Sequence, residues 1–147
     1  MVLGWREKRG HELIYTKKGK RNAVIMGRKT WDSIPPKFRP LKDRLNIVLS
    51  RSYPSSPPSL PLNSPDGPLQ LSSLTTALSH LNTSLAGEID RIFVIGGAEI
   101  YSEALKLKEA RRLLLTRVEG EWECDVFLKV ELEGWRRVEK EEMGEWI

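Results

Sequence analysis

The chain has 147 residues, with 24 Lys and Arg against 20 Asp and Glu, a net charge of +4, and 39% hydrophobic residues. That length suits one domain and that apolar share suffices for a core, while the absence of a membrane-length apolar run or a signal-peptide core argues against a membrane or secreted protein. Its one cysteine, Cys124, excludes an internal disulfide and fits a reducing compartment, so a cytoplasmic location is expected.

The charge is unevenly spread. Residues 1–21 hold seven Lys and Arg against two acids, and residues 119–147 hold ten acids against four Lys and Arg. A basic arm can serve nucleic-acid binding or import, but Glu7 and Glu12 interrupt this one and no zinc-finger spacing or aromatic-interleaved basic motif accompanies it. Solvated surface is the expectation, with no nucleic-acid partner. His11 and His80 lack partners at metal-ligand spacing, and no metal is expected.

In chain order, residues 23–26 form a short continuous apolar run of the kind found in a covered parallel sheet, ending at Gly27. Arg28, Lys29 and Thr30 come next, where a helix should begin, and free backbone N–H groups there favour an anion. A second buried strand over residues 45–49 runs into Ser50 and Arg51, a hydroxyl and a guanidinium at a strand's carboxyl end, where open α/β sheets bind ligands. Residues 52–68 contain six of the nine prolines together with serines and an Asp-Gly, which reads as a long surface loop without function. Ser72-Ser73 then cap a helix whose face is Leu74, Ala77, Leu78, Leu81 and Leu85. A third strand, residues 91–95, is broken by Gly96-Gly97, which allow close approach to the backbone, and leads into a helix with apolar positions Ile100, Tyr101, Ala104 and Leu105. No Gly-x-Gly-x-x-Gly succeeds any strand and no internal repeat appears, so the residues by themselves indicate a nucleotide-binding α/β domain without the ordinary dinucleotide fingerprint.

Five blocks in order, VIMGRKTW at residues 24–31, SIPPKFRPLKDR at 33–44, LSR at 49–51, VIGGAEIY at 94–101 and LLLTRVEGEWECDVF at 113–127, resemble dihydrofolate reductase of the eukaryotic, fungal-like type. The resemblance spans residues 22–135. It implies a single domain with the doubly wound, mostly parallel sheet of that family, NADPH as cofactor, and dihydrofolate as small-molecule substrate. It also implies a monomer that transfers a hydride to the pteridine ring. By position, Gly27, Arg28, Lys29 and Thr30 would hold the cofactor pyrophosphate and its surroundings, Leu49 would lie at the cofactor, and Ser50 and Arg51 would hold the 2′-phosphate. Gly96 and Gly97 resemble the family's cis glycine pair, with Ala98, Glu99, Ile100 and Tyr101 lying along the cofactor. Arg44 matches the arginine that grips the α-carboxylate of the folate tail, a task suited to a planar guanidinium. Ile34, Pro35, Leu41 and Ile95 would line the substrate site, and Thr116 matches the threonine that orients the catalytic carboxylate.

The two ends depart from the family pattern. Residues 1–21 do not resemble the opening strand, the mobile loop or the acid-bearing helix. Leu3-Gly4-Trp5 is at most a relic of the Leu-Pro-Trp turn, and Glu12 and Tyr15 are at most relics of the acid and its neighbouring aromatic, since glycine replaces proline and the spacing to Glu12 is one residue too long. Glu12 is therefore read as a solvated carboxylate, and no catalytic residue is assigned. Residues 136–147 supply one more strand at most. The resemblance thus implies a chain shortened at both ends, lacking the first central strand and the last antiparallel one, which would fold poorly alone because residues 113–117 lose both neighbours.

Overall fold

The computed structural model describes residues 2–3, 17, 19–56, 67–115 and 119–139. Its elements are β1 (Val2–Leu3), β2 (Arg21–Gly27), α1 (Arg28–Ser33), a 3-10 turn (Pro36–Phe38), β3 (Arg44–Leu49), β4 (Leu69–Leu71), α2 (Leu74–Thr83), β5 (Ile89–Val94), α3 (Ala98–Leu105) and β6 (Arg112–Leu113). The strands form one parallel sheet in the order β4-β3-β2-β5-β1-β6.

β2 is central, and residues 22–26 are buried without interruption. A strand covered on both faces has no solvent side to give to polar residues, which is why its sequence reads as an apolar run rather than an alternation. Ala23 and Ile25 join Leu45, Ile47 and Leu49 on the face covered by α2 and α3, while Val24 and Met26 join Val48 and Phe93 on the face that receives Trp31 and Ile34 at and beside α1. The Ser73 hydroxyl accepts from the Thr76 N–H at 3.1 Å, so α2 begins where its cap residue stands. Leu74, Ala77, Leu78 and Leu81 are buried beneath it, and Leu85 stays in the core beyond the helix end.

The chain runs from β2 to β3 to β4 on one side, then returns past β2 to lay down β5 on the other. Strand order therefore reverses between β2 and β5, and such a reversal opens a crevice at the strands' carboxyl ends.

Several elements differ from the sequence-based expectation. β2 and β5 begin earlier, at Arg21 and Ile89, because Arg21 pairs with Ile89 in the ladder and its guanidinium meets Glu88 at 3.2 Å. Ile95 has left β5, although its N–H still donates to the Ile25 carbonyl at 2.9 Å. β4 has no counterpart in the sequence reading: three residues directly after a proline-rich stretch show no alternation long enough to read.

The slot between β5 and β6, expected to be vacant, holds β1, with Val2 beside Phe93 and Arg112 and Leu3 beside Val94 and Leu113. Two residues suffice to give backbone groups of both flanking strands partners. β6 covers Arg112–Leu113 rather than residues 113–117, the last two of which lie outside the described residues. Among the described residues no strand pairs antiparallel, and residues 119–139 contain neither helix nor strand. Trp122, Val126 and Phe127 are exposed there. The further strand expected from residues 136–147 meets irregular chain at 136–139 and otherwise lies outside the described residues.

Candidate functional site

At the mouth of the crevice, the Gly27 N–H donates to the Gly96 carbonyl at 2.9 Å, fastening the end of β2 to the residue after Ile95. The Gly96-Gly97 peptide is cis. Gly96 adopts φ +141°, and a Cβ built on it would stand 2.9 Å from Thr30 Oγ1, so only glycine fits beside α1 here. A Cβ on Gly27 would meet Ile100 Cγ1 at 3.6 Å and the Gly97 nitrogen at 3.7 Å. Three glycines thus bring the starts of α1 and α3 together.

Gly27 caps α1 without a side-chain hydrogen bond, which leaves the first-turn N–H groups of Arg28, Lys29 and Thr30 without a side-chain acceptor from the cap. Arg28 and Lys29 are exposed, Arg28 standing 4.0 Å from Asp32 one turn on. α1 has only six residues. The macrodipole of so short a helix is small, so the charges of Arg28 and Lys29 are the larger electrostatic feature of this end.

β3 contributes the third edge. Leu49 pairs with Gly27 and is buried, while the Ser50 N–H donates to the Leu71 carbonyl at 3.1 Å and its hydroxyl lies 3.0 Å from that of Ser52. Arg51 extends into solvent and reaches Glu99, in the first turn of α3, at 4.0 Å. The carboxyl ends of β2, β3 and β5 accordingly open onto one surface. Ala98 and Glu99 begin α3, whereas Ile100 and Tyr101 turn inward against the α2–α3 core. Burial pushes the Tyr101 hydroxyl above the ordinary phenol range. A raised folded-state value means that stability is unaffected by this group below the unfolded phenol's titration and declines as pH climbs through that range toward the folded value. Tyr101→Phe is expected to lessen the alkaline decline of the unfolding free energy and to leave it unchanged near neutrality, as measured by urea titration at several pH values.

The α1 face continues the crevice. Ile34, Leu41 and Ile95 pack around Val24, Met26, Val48 and Phe93 together with Trp31, Tyr53 and Leu114. Pro35 is exposed at the start of the 3-10 turn. Arg44 stands at the opposite end of β3 from Ser50, about 20 Å away at roughly 3.3 Å per residue, and its Nε donates to the Lys42 carbonyl at 2.9 Å. An apolar surface thus separates a cationic end at Arg44 from the phosphate-suited end at Gly27 and Arg51. Thr116 and Glu12 lie outside the described residues.

Two side chains not legible from the sequence hold this arrangement. Asn46, buried in β3, donates to the carbonyls of Leu41 (2.8 Å) and Arg44 (3.0 Å) and accepts from the Leu41 N–H (3.0 Å). Arg39 lies over the Trp31 ring, 5.3 Å from its centroid, donates to the Trp31 carbonyl at 3.3 Å and meets Asp32 at 3.8 Å, tying the loop to α1. An asparagine inside an apolar strand is the available signal for the first; nothing local marks the second. Asn22, paired with Arg44 in the ladder, is also buried, and its Oδ1 has no hydrogen-bond partner among the described residues. No helix among the described residues is long and apolar enough to cross a membrane, and none of them form a group of three or more metal-ligating side chains.

A family model described as dihydrofolate reductase matches residues 11–145. The chain belongs to the dihydrofolate reductase family. It is similar to the dihydrofolate reductase of Candida albicans, 44% identical over 136 residues that cover 90% of this chain and 65% of the relative. It is also similar to that of Rattus norvegicus, 42% identical over 80% of this chain and 60% of the relative. Among solved structures, Schistosoma mansoni dihydrofolate reductase superposes with a TM-score of 0.61 at 35% identity, covering 86% of this chain and 66% of that one. The chain therefore spans about two thirds, or slightly less, of the length of these dihydrofolate reductases. The parallel sheet with its reversal at β2 and β5 agrees with that family fold.

Proposed function

We propose that the protein is an NADPH-dependent reductase that converts 7,8-dihydrofolate to tetrahydrofolate, acting as a cytoplasmic monomer in folate and one-carbon metabolism. The observation that carries this reading is the Gly27–Gly96 hydrogen bond at the strand reversal, with Arg51 reaching Glu99 in the first turn of α3 and Arg44 at the other end of β3 across an apolar cluster.

The residues present fit a phosphorylated dinucleotide. Thr30 fills the space where a Gly96 side chain would stand, so the starts of α1 and α3 lie close together, and Arg28, Lys29 and Thr30 furnish this junction with two cations and a hydroxyl, the donor chemistry a pyrophosphate calls for. These would hold the pyrophosphate, with Ser50 and Arg51 on the 2′-phosphate and Gly97, Ala98 and Glu99 alongside. When bound, NADPH supplies the hydride. Ile34, Leu41 and Ile95 would exclude water around the substrate's aromatic section, and the Arg44 guanidinium would pair with its terminal carboxylate. Thr116 is retained as the residue that orients the acid. The proton donor is unassigned, because residues 1–21 do not resemble the family's acid-bearing segment and Glu12 lies outside the described residues.

The test is loss of nicotinamide absorbance when the protein is mixed with NADPH and dihydrofolate. Arg44→Leu is expected to raise KM for dihydrofolate by about ten- to a hundred-fold, the range for losing a hydrogen bond to a charged group, with NADPH affinity unchanged. An unaltered KM would remove Arg44 from the substrate site. A second reading, a non-catalytic protein that keeps part of a nucleotide site, draws on the unassigned proton donor. Stabilisation by NADPH without turnover would select it.

A further inference from the structure

Resting on the reading of Arg51 as the 2′-phosphate receptor, we propose that Glu99 is a specificity-determining residue that weakens the preference of this site for NADPH over NADH. Its Oε1 stands 4.0 Å from Arg51 Nη1, and the two residues come from different parts of the fold, the end of β3 and the first turn of α3. Both side chains are largely open to solvent, 91% exposed for Arg51 and 72% for Glu99, so packing does not fix either one and the carboxylate stands within reach of the guanidinium.

A phosphate arriving at this guanidinium must displace the carboxylate or share the fork with it, and the carboxylate repels the incoming dianion over the same few ångströms. A free 2′-hydroxyl meets the opposite situation. It brings no charge to repel, and a carboxylate accepts its hydrogen bond, the part an acidic residue plays in NAD-selective sites. One side chain thus works against the phosphate and in favour of the hydroxyl. Its location in the first turn of α3 also gives it a structural use, since negative charge there complements the helix dipole. Glutamine keeps the length and polarity of the side chain while removing the charge.

The test is titration of NADPH and NADH into the purified protein as wild type, Glu99→Gln, Arg51→Ala and the double variant, at low and high salt. Glu99→Gln should tighten NADPH by about two- to five-fold, within the range of exposed ion pairs, while NADH is unchanged or weaker. The gain should shrink at high salt, where exposed charges are screened, and vanish in the Arg51→Ala background. Equal shifts for both nucleotides, or none, would overturn the inference. If Arg51→Ala abolishes the preference but Glu99→Gln leaves it intact, the inference alone fails. If Arg51→Ala leaves the preference unaltered, or the protein binds neither nucleotide, the underlying reading fails and takes the inference with it.

Discussion

Gly96→Ala is expected to destabilise the protein strongly and to abolish NADPH binding. Two costs coincide at this residue. Its backbone, at φ +141°, lies in a region that L side chains rarely adopt, a strain of about 1–3 kcal/mol. The new methyl would also stand 2.9 Å from Thr30 Oγ1 and 3.1 Å from Thr30 Cγ2. Thr30 cannot yield cheaply, because it is β-branched and sits on a helix that restricts its rotamer. Moving Gly96 instead would strain the hydrogen bond that its carbonyl accepts from Gly27. Set against a typical domain stability of about 5–15 kcal/mol, the sum is a large fraction. Gly97→Ala is the control: φ there is −89°, and the added Cβ would lie 3.5 Å from Thr30 Oγ1, an ordinary contact. Its effect on the denaturation midpoint should be much smaller. Adding Thr30→Ala to Gly96→Ala should recover only the steric part. A Gly96→Ala protein with unchanged midpoint and full NADPH affinity would mean that Gly96 is not packed against Thr30 as described.

Asn46→Ala should be the second severe substitution, with a different signature. Its amide meets three backbone groups of the Leu41–Arg44 turn, whose Asp43 sits at φ +60°. Truncation leaves those groups without their partner, at about 1–3 kcal/mol for each that stays buried. A total loss of roughly 2–4 kcal/mol results on that scale, because Leu41 and Arg44 are only half-buried. The freed turn carries both the apolar Leu41 and the guanidinium of Arg44. On the proposed function, which puts NADPH at the far end of β3, KM for dihydrofolate is expected to rise while NADPH affinity stays near wild type. Asn46→Asp should be no rescue: it keeps the acceptor for Leu41 N–H but turns a carboxylate toward two carbonyl oxygens. A variant that weakened NADPH and dihydrofolate equally would point to global loosening rather than a local pin. Paired chemical denaturation and steady-state kinetics separate the two.

The parts of this structure that rest on local chemistry are legible in the sequence. The apolar runs of β2 and β3, the cap at Ser73, the leucine face of α2 and the glycine break after Ile95 all stem from what each residue permits its own backbone, and each stands where periodicity puts it. Strand ends and motif order point to a convergence of Gly27, Ser50-Arg51 and Gly96; Gly27 is hydrogen-bonded to Gly96, and Arg51 reaches Glu99 two residues past Gly97. The features that escape such a reading are set by distant partners. β1 is a strand because β5 and β6 flank it, not because Val-Leu announces one. Arg39 matters through a ring and a carbonyl eight residues back, and Asn46 through a turn whose closure no propensity encodes. The inward packing of Tyr101 depends on how α3 lies over the sheet, which motif position alone does not reveal.

β3 carries Arg44 at one end and opens onto Ser50 and Arg51 at the other, with buried residues between. An extended backbone held to β2 along its whole length, and to β4 as well over Ile47–Leu49, can neither stretch nor shorten, so this strand acts as a ruler between the two charged termini. Side-chain exchange can alter which groups are gripped at either mark. Altering the interval itself would require inserting or deleting residues in β3, and an odd number would turn every downstream side chain to the other face.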